Sequence, residues 1–199
     1  MRTYRELALY IRAKPPRFGP QTRLVAVDGP SGSGKSHFAD RLAEALEAPL
    51  IHTDDLLDGW DDQFTFWARL ERQVLSPLRQ GKTAKYRKYQ WDRQEFGDRE
   101  ITVEPAPAVL LEGVSAARRA IRAELSLAVF VTAPPKIRSA RALARDGDDS
   151  LAFRAYLERW RAAEDRHFAE DQTAEAADLI VDGAAATGDA SFVATRTGW

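Results

Sequence analysis

The chain has 199 residues and carries 29 basic against 30 acidic side chains, for a formal net charge of −1, and it contains no cysteine. That length suits one well-buried domain with room for a small insertion, while the charge balance leaves no global basic field for nucleic acid and no acidic tail. Without thiols there can be no disulfide, thiolate nucleophile or cysteine metal site, and with no long apolar run near the ~20 residues of a membrane span, a soluble cytoplasmic protein without a membrane or nucleic-acid partner is expected.

Taken in chain order, Tyr4, Leu7, Ala8 and Ile11 recur at helical spacing, and Pro15 and Pro16 close that segment. The apolar run Leu24 to Val27 predicts a strand, and it leads directly into GPSGSGKS. Gly29, four further residues and then Gly34, Lys35 and Ser36 have the spacing of a Walker A loop, in the strand-to-helix setting that loop requires. A polyphosphate tail concentrates negative charge that must be met without a bulky wall in the way. Gly29, Gly32 and Gly34 let the backbone close in, with Ser31 and Ser33 between them, and aim successive N–H groups inward. Lys35 can reach the β- and γ-phosphates, the Ser36 hydroxyl can ligate Mg²⁺, and the positive end of the following helix adds to the same point. ATP and Mg²⁺ are therefore expected. Phe38, Leu42, Ala45 and Leu46 mark the buried face of that helix, which should stop before Pro49.

A second strand, Leu50 to Thr53, runs into Asp54, Asp55 and Asp58. In an open α/β sheet ligands lie beyond the carboxyl ends of the strands, so these acids fall on the same side as the glycine loop. Carboxylates beside bound phosphates need a metal or a proton-bearing substrate between them; otherwise Asp58 or Asp61 caps the next helix. Phe64 to Leu78 predicts a helix with Phe64, Trp67, Ala68, Leu70, Val74 and Leu75 inside, finished by Pro77 and Gly81. From residue 82 to 104 the pattern is irregular, and Lys82, Lys85, Arg87, Lys88 and Arg93 interleave with Tyr86, Tyr89 and Trp91. Rings for stacking and cations for phosphate suit an acceptor substrate, and a solvated, partly strand-forming insertion explains the same letters.

Pro107 to Val114 predicts a buried strand ending at Glu112, an acid placed to hold a magnesium water or the acceptor, or to cap the next helix. Leu125 to Thr132 predicts a fourth strand. Beyond Pro134 and Pro135, Arg138, Arg141 and Arg145 share one helical face. Three such cations suit a transferring phosphoryl group that gathers charge on its oxygens; surface pairing with Asp146, Asp148 or Asp149 is the alternative. Ser150 to Glu170 predicts a long helix with Leu151, Ala155, Leu157, Trp160 and Phe168 available for burial. His37, His52 and His167 each stand alone without metal-ligand spacing, and His167 reads as a surface or capping residue. Ala177 to Val181 predicts the last parallel strand, and the loop from Asp182 would sit beside the glycine loop, within reach of an adenine. The end toward Trp199 has no assignable pattern.

Together the GPSGSGKS loop, Asp54, the LLEG strand and the R-x-x-R-x-x-x-R-D run at Arg138 to Asp146 resemble the uridine kinase family of P-loop kinases, over residues 24–181. The resemblance implies an α/β P-loop NTPase three-layer sandwich around a mostly parallel five-stranded sheet. It would be a single domain over 1–199, with an N-terminal helix and linker (1–22), an acceptor-side insertion (82–104) and an Arg-bearing lid (134–150). It implies Asp54 as the base, with Lys35, Arg138 and Arg141 also catalytic. Gly29, Ser31, Gly32, Ser33, Gly34, Lys35, Ser36, Arg141 and Arg145 would hold ATP, and Ser36, Glu112 and Asp54 the magnesium. The acceptor would meet Asp54, Tyr86, Tyr89, Trp91, Arg93, Gln94 and Glu112. The implied reaction moves the γ-phosphate of ATP to a hydroxyl of a uridine- or cytidine-like nucleoside; the partner is a small molecule, and a homo-oligomer is allowed. One departure stands out. The family reads uracil with a Tyr-Asp-Phe stretch and a following His, where this chain has Tyr89-Gln90-Trp91 and Gln94, so another acceptor (a nucleoside monophosphate, a vitamin precursor, a sugar acid) remains open. A nucleotide switch is the rival outside the kinases, although the chain has no Asn and so no Asn-Lys-x-Asp guanine reader.

Overall fold

The computed structural model describes residues 1–146 and 150–198. A two-residue strand β1 (Arg2–Thr3) precedes helix α1 (Tyr4–Ala13), whose start is set by Thr3 and Glu6 capping each other's backbone. Strand β2 (Arg23–Asp28) runs through the glycine loop into α2 (Lys35–Leu46), which ends on Glu47 in the left-handed conformation, two residues before Pro49. Strand β3 (Leu50–His52) passes directly into a 3₁₀ turn, Thr53–Leu56. Next come α3 (Trp67–Leu70), α4 (Ser76–Arg79) and the strands β4 (Ala84–Gln90), β5 (Glu95–Val103), β6 (Ala108–Glu112) and β7 (Leu125–Thr132). Helices α5 (Pro135–Asp146), α6 (Leu151–Asp171) and α7 (Thr173–Ala176) lead to β8 (Leu179–Asp182), β9 (Ser191–Phe192) and β10 (Ala194–Thr197).

The central strands read as continuous apolar runs because helical layers cover both of their faces. Along β2, Val25 and Val27 point to the layer of α1 and α2, where they meet Leu7, Ile11, Phe38 and Leu42. Leu24 and Ala26 point the other way, to Leu56, Phe66, Leu70 and Val74. Each such large side chain, fully buried, stabilises the fold by roughly 1.5–3 kcal/mol. The sheet order is β10-β8-β7-β2-β6-β3, with β3, β6, β2, β7 and β8 mutually parallel. The sheet therefore has six strands rather than five: the unassigned tail supplies β10, antiparallel on β8, and β9 pairs with β1.

Two elements differ from their sequence expectation. The helix expected over 64–78 forms from Trp67 to Arg79, but with a π-helical turn at Glu71–Leu75 between α3 and α4. Pro77 has no N–H to give the Gln73 carbonyl, so the regular ladder fails there. The 82–104 insertion is an antiparallel β4–β5 hairpin, with Gln94 left-handed at its turn. The glycine loop, the Thr53–Leu56 turn and the end of β6 emerge together at the carboxyl edge of the sheet, beside the order reversal around β2, and α5 comes down onto the glycine loop.

Candidate active site

The glycine loop has the backbone its sequence demands. Gly34 caps α2 with φ +95°, and Gly32 has φ +76°. A Cβ on Gly32 would fall 2.5 Å from the Arg138 carbonyl oxygen, so only glycine lets α5 sit this close. Lys35 is buried, with Nζ 3.9 Å from Glu112 Oε1, and the Ser36 hydroxyl donates to that oxygen at 3.1 Å. The other Glu112 oxygen lies 2.6 Å from His52 Nδ1. His52 is thus not alone: parallel pairing of β3 with β6 puts it in register with Glu112, a contact visible only once the strand neighbours are known. Burial pushes the Glu112 carboxyl up, but the His52 hydrogen bond, Lys35 and Ser36 outweigh it and hold it below the usual range. The His52 imidazole is raised, chiefly by the same hydrogen bond.

Asp54 stands in the first turn after β3, open toward the cleft although protein surrounds it on its other sides. This crowding raises its pKa, and Glu112 adds to the effect, while Lys35, Arg145 and His52 oppose it. Asp55 turns inward to an ion pair with Lys88 (2.8 Å). Asp58 is 3.7 Å from Arg69, and neither it nor Asp61 caps a helix; Asp62 instead ties this turn together, accepting from the Asp58 N–H at 2.9 Å, from Thr65 Oγ1 and from Arg69 Nη1 at 2.7 Å.

The three arginines of α5 divide the labour. Arg141 ties two loops together, donating to the Gly32 carbonyl (3.2 Å) and the Gly183 carbonyl (3.0 Å). Arg138 has Nε and Nη1 buried without a partner. Arg145 lines the cleft and acts electrostatically on Asp54. Asp148 and Asp149, the alternative surface partners, lie outside the described residues, as does the side chain of Asp146. Glycine backbone, the N-terminus of α2, Lys35 and the two orphaned Arg138 donors fit an anionic polyphosphate. The neighbouring oxygens of Ser36 and Glu112 fit a hard cation.

Between these groups and α6 lies a cavity of about 340 Å³, a size usual for small-molecule sites. Ser31, Asp54 and Arg145 line it together with Trp60, Trp91 and Trp160; the Trp60 ring is 4.6 Å from Trp91 and 5.7 Å from Trp160. Of the acceptor residues expected on the hairpin, Trp91 reaches the cavity. Tyr89 packs behind it at 5.0 Å. Tyr86 is in the hydrophobic core because β4 turns alternate residues to core and solvent, Arg93 pairs with Glu95 and Gln90, and Gln94 occupies the turn; none of these three lines the cavity. Trp60, Trp160, Arg161 and Glu164 were not legible as site residues. Glu164, fully buried on α6, accepts from the Ser31 N–H (3.1 Å), from Ser31 Oγ and from Trp160 Nε1 (2.9 Å). Trp160 and Glu164 stand at i, i+4, but nothing local connects them to Ser31. His167, half-buried, neither caps nor faces solvent freely: its ring is 4.8 Å from Phe64, and burial lowers its pKa.

A model of the phosphoribulokinase/uridine kinase family matches residues 63–182, more than half of the chain. The chain belongs to that family. As a kinase of this family it is 27% identical over 143 residues to a uridine kinase of Macrococcus caseolyticus (strain JCSC5402), covering 63% of this chain and 69% of that one. It is also 31% identical over 119 residues to the inorganic pyrophosphatase TTM2 of Arabidopsis thaliana, but this covers 55% of the kinase and only 18% of that protein's length. Among solved structures, one described as a possible uridine kinase from Bacillus stearothermophilus superposes with a TM-score of 0.66 at 17% identity, over 89% of the kinase and 96% of that chain, a likeness of fold. Among the described residues, no helix of the kinase is long and apolar enough to cross a membrane.

Proposed function

We propose that this kinase moves the γ-phosphoryl group of ATP to a hydroxyl of a small nucleoside-like acceptor held in the tryptophan-lined cavity. One observation carries the reading: Ser31 of the glycine loop, Asp54 and Arg145 line a single cavity. Mg·ATP, when bound, supplies the phosphoryl group and a divalent charge beside it. The glycine loop, Lys35 and Arg138 hold the polyphosphate, and Ser36 with Glu112 hold the cation. Asp54 takes the proton from the acceptor hydroxyl at a carboxylate oxygen as the hydroxyl oxygen attacks, and its raised pKa makes it a better proton acceptor than a solvated aspartate. Arg145 neutralises charge gathering across from it, where a positioned arginine is worth about 10³–10⁵ in rate. The rings of Trp60, Trp91 and Trp160 favour a flat acceptor over a bare sugar.

With Asp54→Asn, ADP formation in a coupled assay over a panel of nucleosides should fall about 10²- to 10⁴-fold, while calorimetry finds Mg·ATP affinity retained. Unchanged turnover would remove Asp54 from the chemistry. ATP hydrolysis that no acceptor stimulates would favour a nucleotide switch instead.

A further inference from the structure

Phosphoryl transfer leaves one cation of the cavity unused. Arg161 follows Trp160 on α6 and lines the cavity, and its Nη2 is buried without a hydrogen-bond partner. A guanidinium N–H sealed from water and unpaired is unfavourable until an oxygen meets it. Asp54 is the only carboxylate lining the cavity among the described residues and it answers to Arg145, while the buried Glu164 behind the wall is spent on Ser31 and Trp160, so the Arg161 Nη2 is left without an oxygen. A cage of aromatic rings by itself would suit a quaternary ammonium. The unpartnered Arg161 donor in the same wall disfavours such a ligand and selects the opposite sign.

None of the hairpin's own cations lines the cavity, and three of them have carboxylate partners elsewhere. Lys88 is taken by Asp55, Lys85 by Glu100 at 3.0 Å, and Arg93 by Glu95. Trp60 remains 40% exposed at the cavity, a large apolar ring surface open to a ligand. From these groups we infer that the acceptor is an alcohol on a flat ring system that also carries an oxyanion, either a ring carboxylate or a phosphate. Arg161 binds the anion while Trp60, Trp91 and Trp160 hold the ring. A planar guanidinium can grip either oxyanion through parallel N–H donors, which no lysine reproduces. The role given to this ligand, though not the binding site itself, rests on the kinase reading above.

The test uses the full chain and three probes that share one ring and one free 5′-hydroxyl: uridine, orotidine with its ring carboxylate, and uridine 3′-monophosphate. Tryptophan fluorescence reports binding, and ADP formation with Mg·ATP reports transfer. One of the two anions should bind about 10- to 100-fold more tightly than uridine, the span expected of a charge-assisted hydrogen bond, and the winner identifies the oxyanion. Arg161→Gln should abolish the preference at an unchanged melting temperature, and Arg161→Lys should keep part of it. Equal quenching by all three probes, none by any, or a preference that survives Arg161→Gln overturns the proposal. An anion preference in binding without ADP formation from any probe would sink the reading of this ligand as the phosphoryl acceptor and leave the Arg161 site standing.

Discussion

Glu112 is the residue on which the donor half of the site converges, with Ser36, Lys35 and His52 on its two oxygens. Its position at the end of a buried strand was readable; its partner His52 was not, because the contact depends on β3 lying next to β6. The pair has a definite pH signature. His52 is raised above its ordinary 6.5, so its share of stability is complete below that value and fades as pH rises through the folded one. Glu112 is lowered from 4.5, so its share is complete above that value and fades as pH falls through the folded one. Both shares overlap between about pH 4.5 and 6.5. In nucleotide-free protein, the melting-temperature gap between wild type and His52→Gln should be widest near pH 5.5 and shrink by pH 8.5. A gap that stays flat over that range would show that the pair is not an ion pair.

At the scale of elements, the contact of α5 with the glycine loop couples the expected lid to the donor site. The spacing of Arg138, Arg141 and Arg145 showed a shared face, but not that Arg141 would be spent on the Gly32 and Gly183 carbonyls. Gly32→Ala tests the contact against Gly81→Ala, since both glycines have positive φ, +76° and +69°, yet only the first would drive a Cβ into α5. Backbone strain of about 1–3 kcal/mol is expected at each, and the additional loss at Gly32, together with weaker Mg·ATP binding by calorimetry, measures the helix contact. Equal losses at the two sites would mean that α5 yields freely. Helix α6 makes a similar junction on the acceptor side, where Glu164 joins Ser31 to Trp160. Such a junction is invisible to periodicity, which sorts side chains into inside and outside without naming the neighbour.

For the molecule as a whole, the tail closes the fold. Phe192 of β9 is buried with its ring 5.2 Å from both Tyr4 and Phe38, whose rings are 5.3 Å apart, so the first helix, the helix after the glycine loop and the last strands share one aromatic cluster. Phe192→Ala should cost about 3–5 kcal/mol in denaturant unfolding, with ring contacts to both helices lost at once. A cost under about 1 kcal/mol, the range of tolerated core swaps, would show that the tail docks without stabilising. The parallel core was legible because its strands are uninterrupted apolar runs, but a two-residue strand and a polar edge strand carry no such pattern, and β9 and β10 went unassigned.

By itself the amino-acid order determined whatever depends on neighbours in the chain. The spacing of Gly29, Gly34, Lys35 and Ser36 requires a phosphate loop between strand and helix; the apolar runs require a covered parallel sheet; and Asp54 follows its strand closely enough to stand at the sheet's carboxyl edge. Only the tertiary structure decided what depends on partners far apart in sequence: His52 on Glu112, Glu164 on Ser31, the turning of Tyr86 into the core, and the gathering of Trp60, Trp91, Trp160 and Arg161 around one cavity. The physical reason is that backbone geometry has a short period that letters can reveal, whereas strand order and helix docking are chosen by the burial of the whole chain, and they alone bring residues a hundred positions apart into contact.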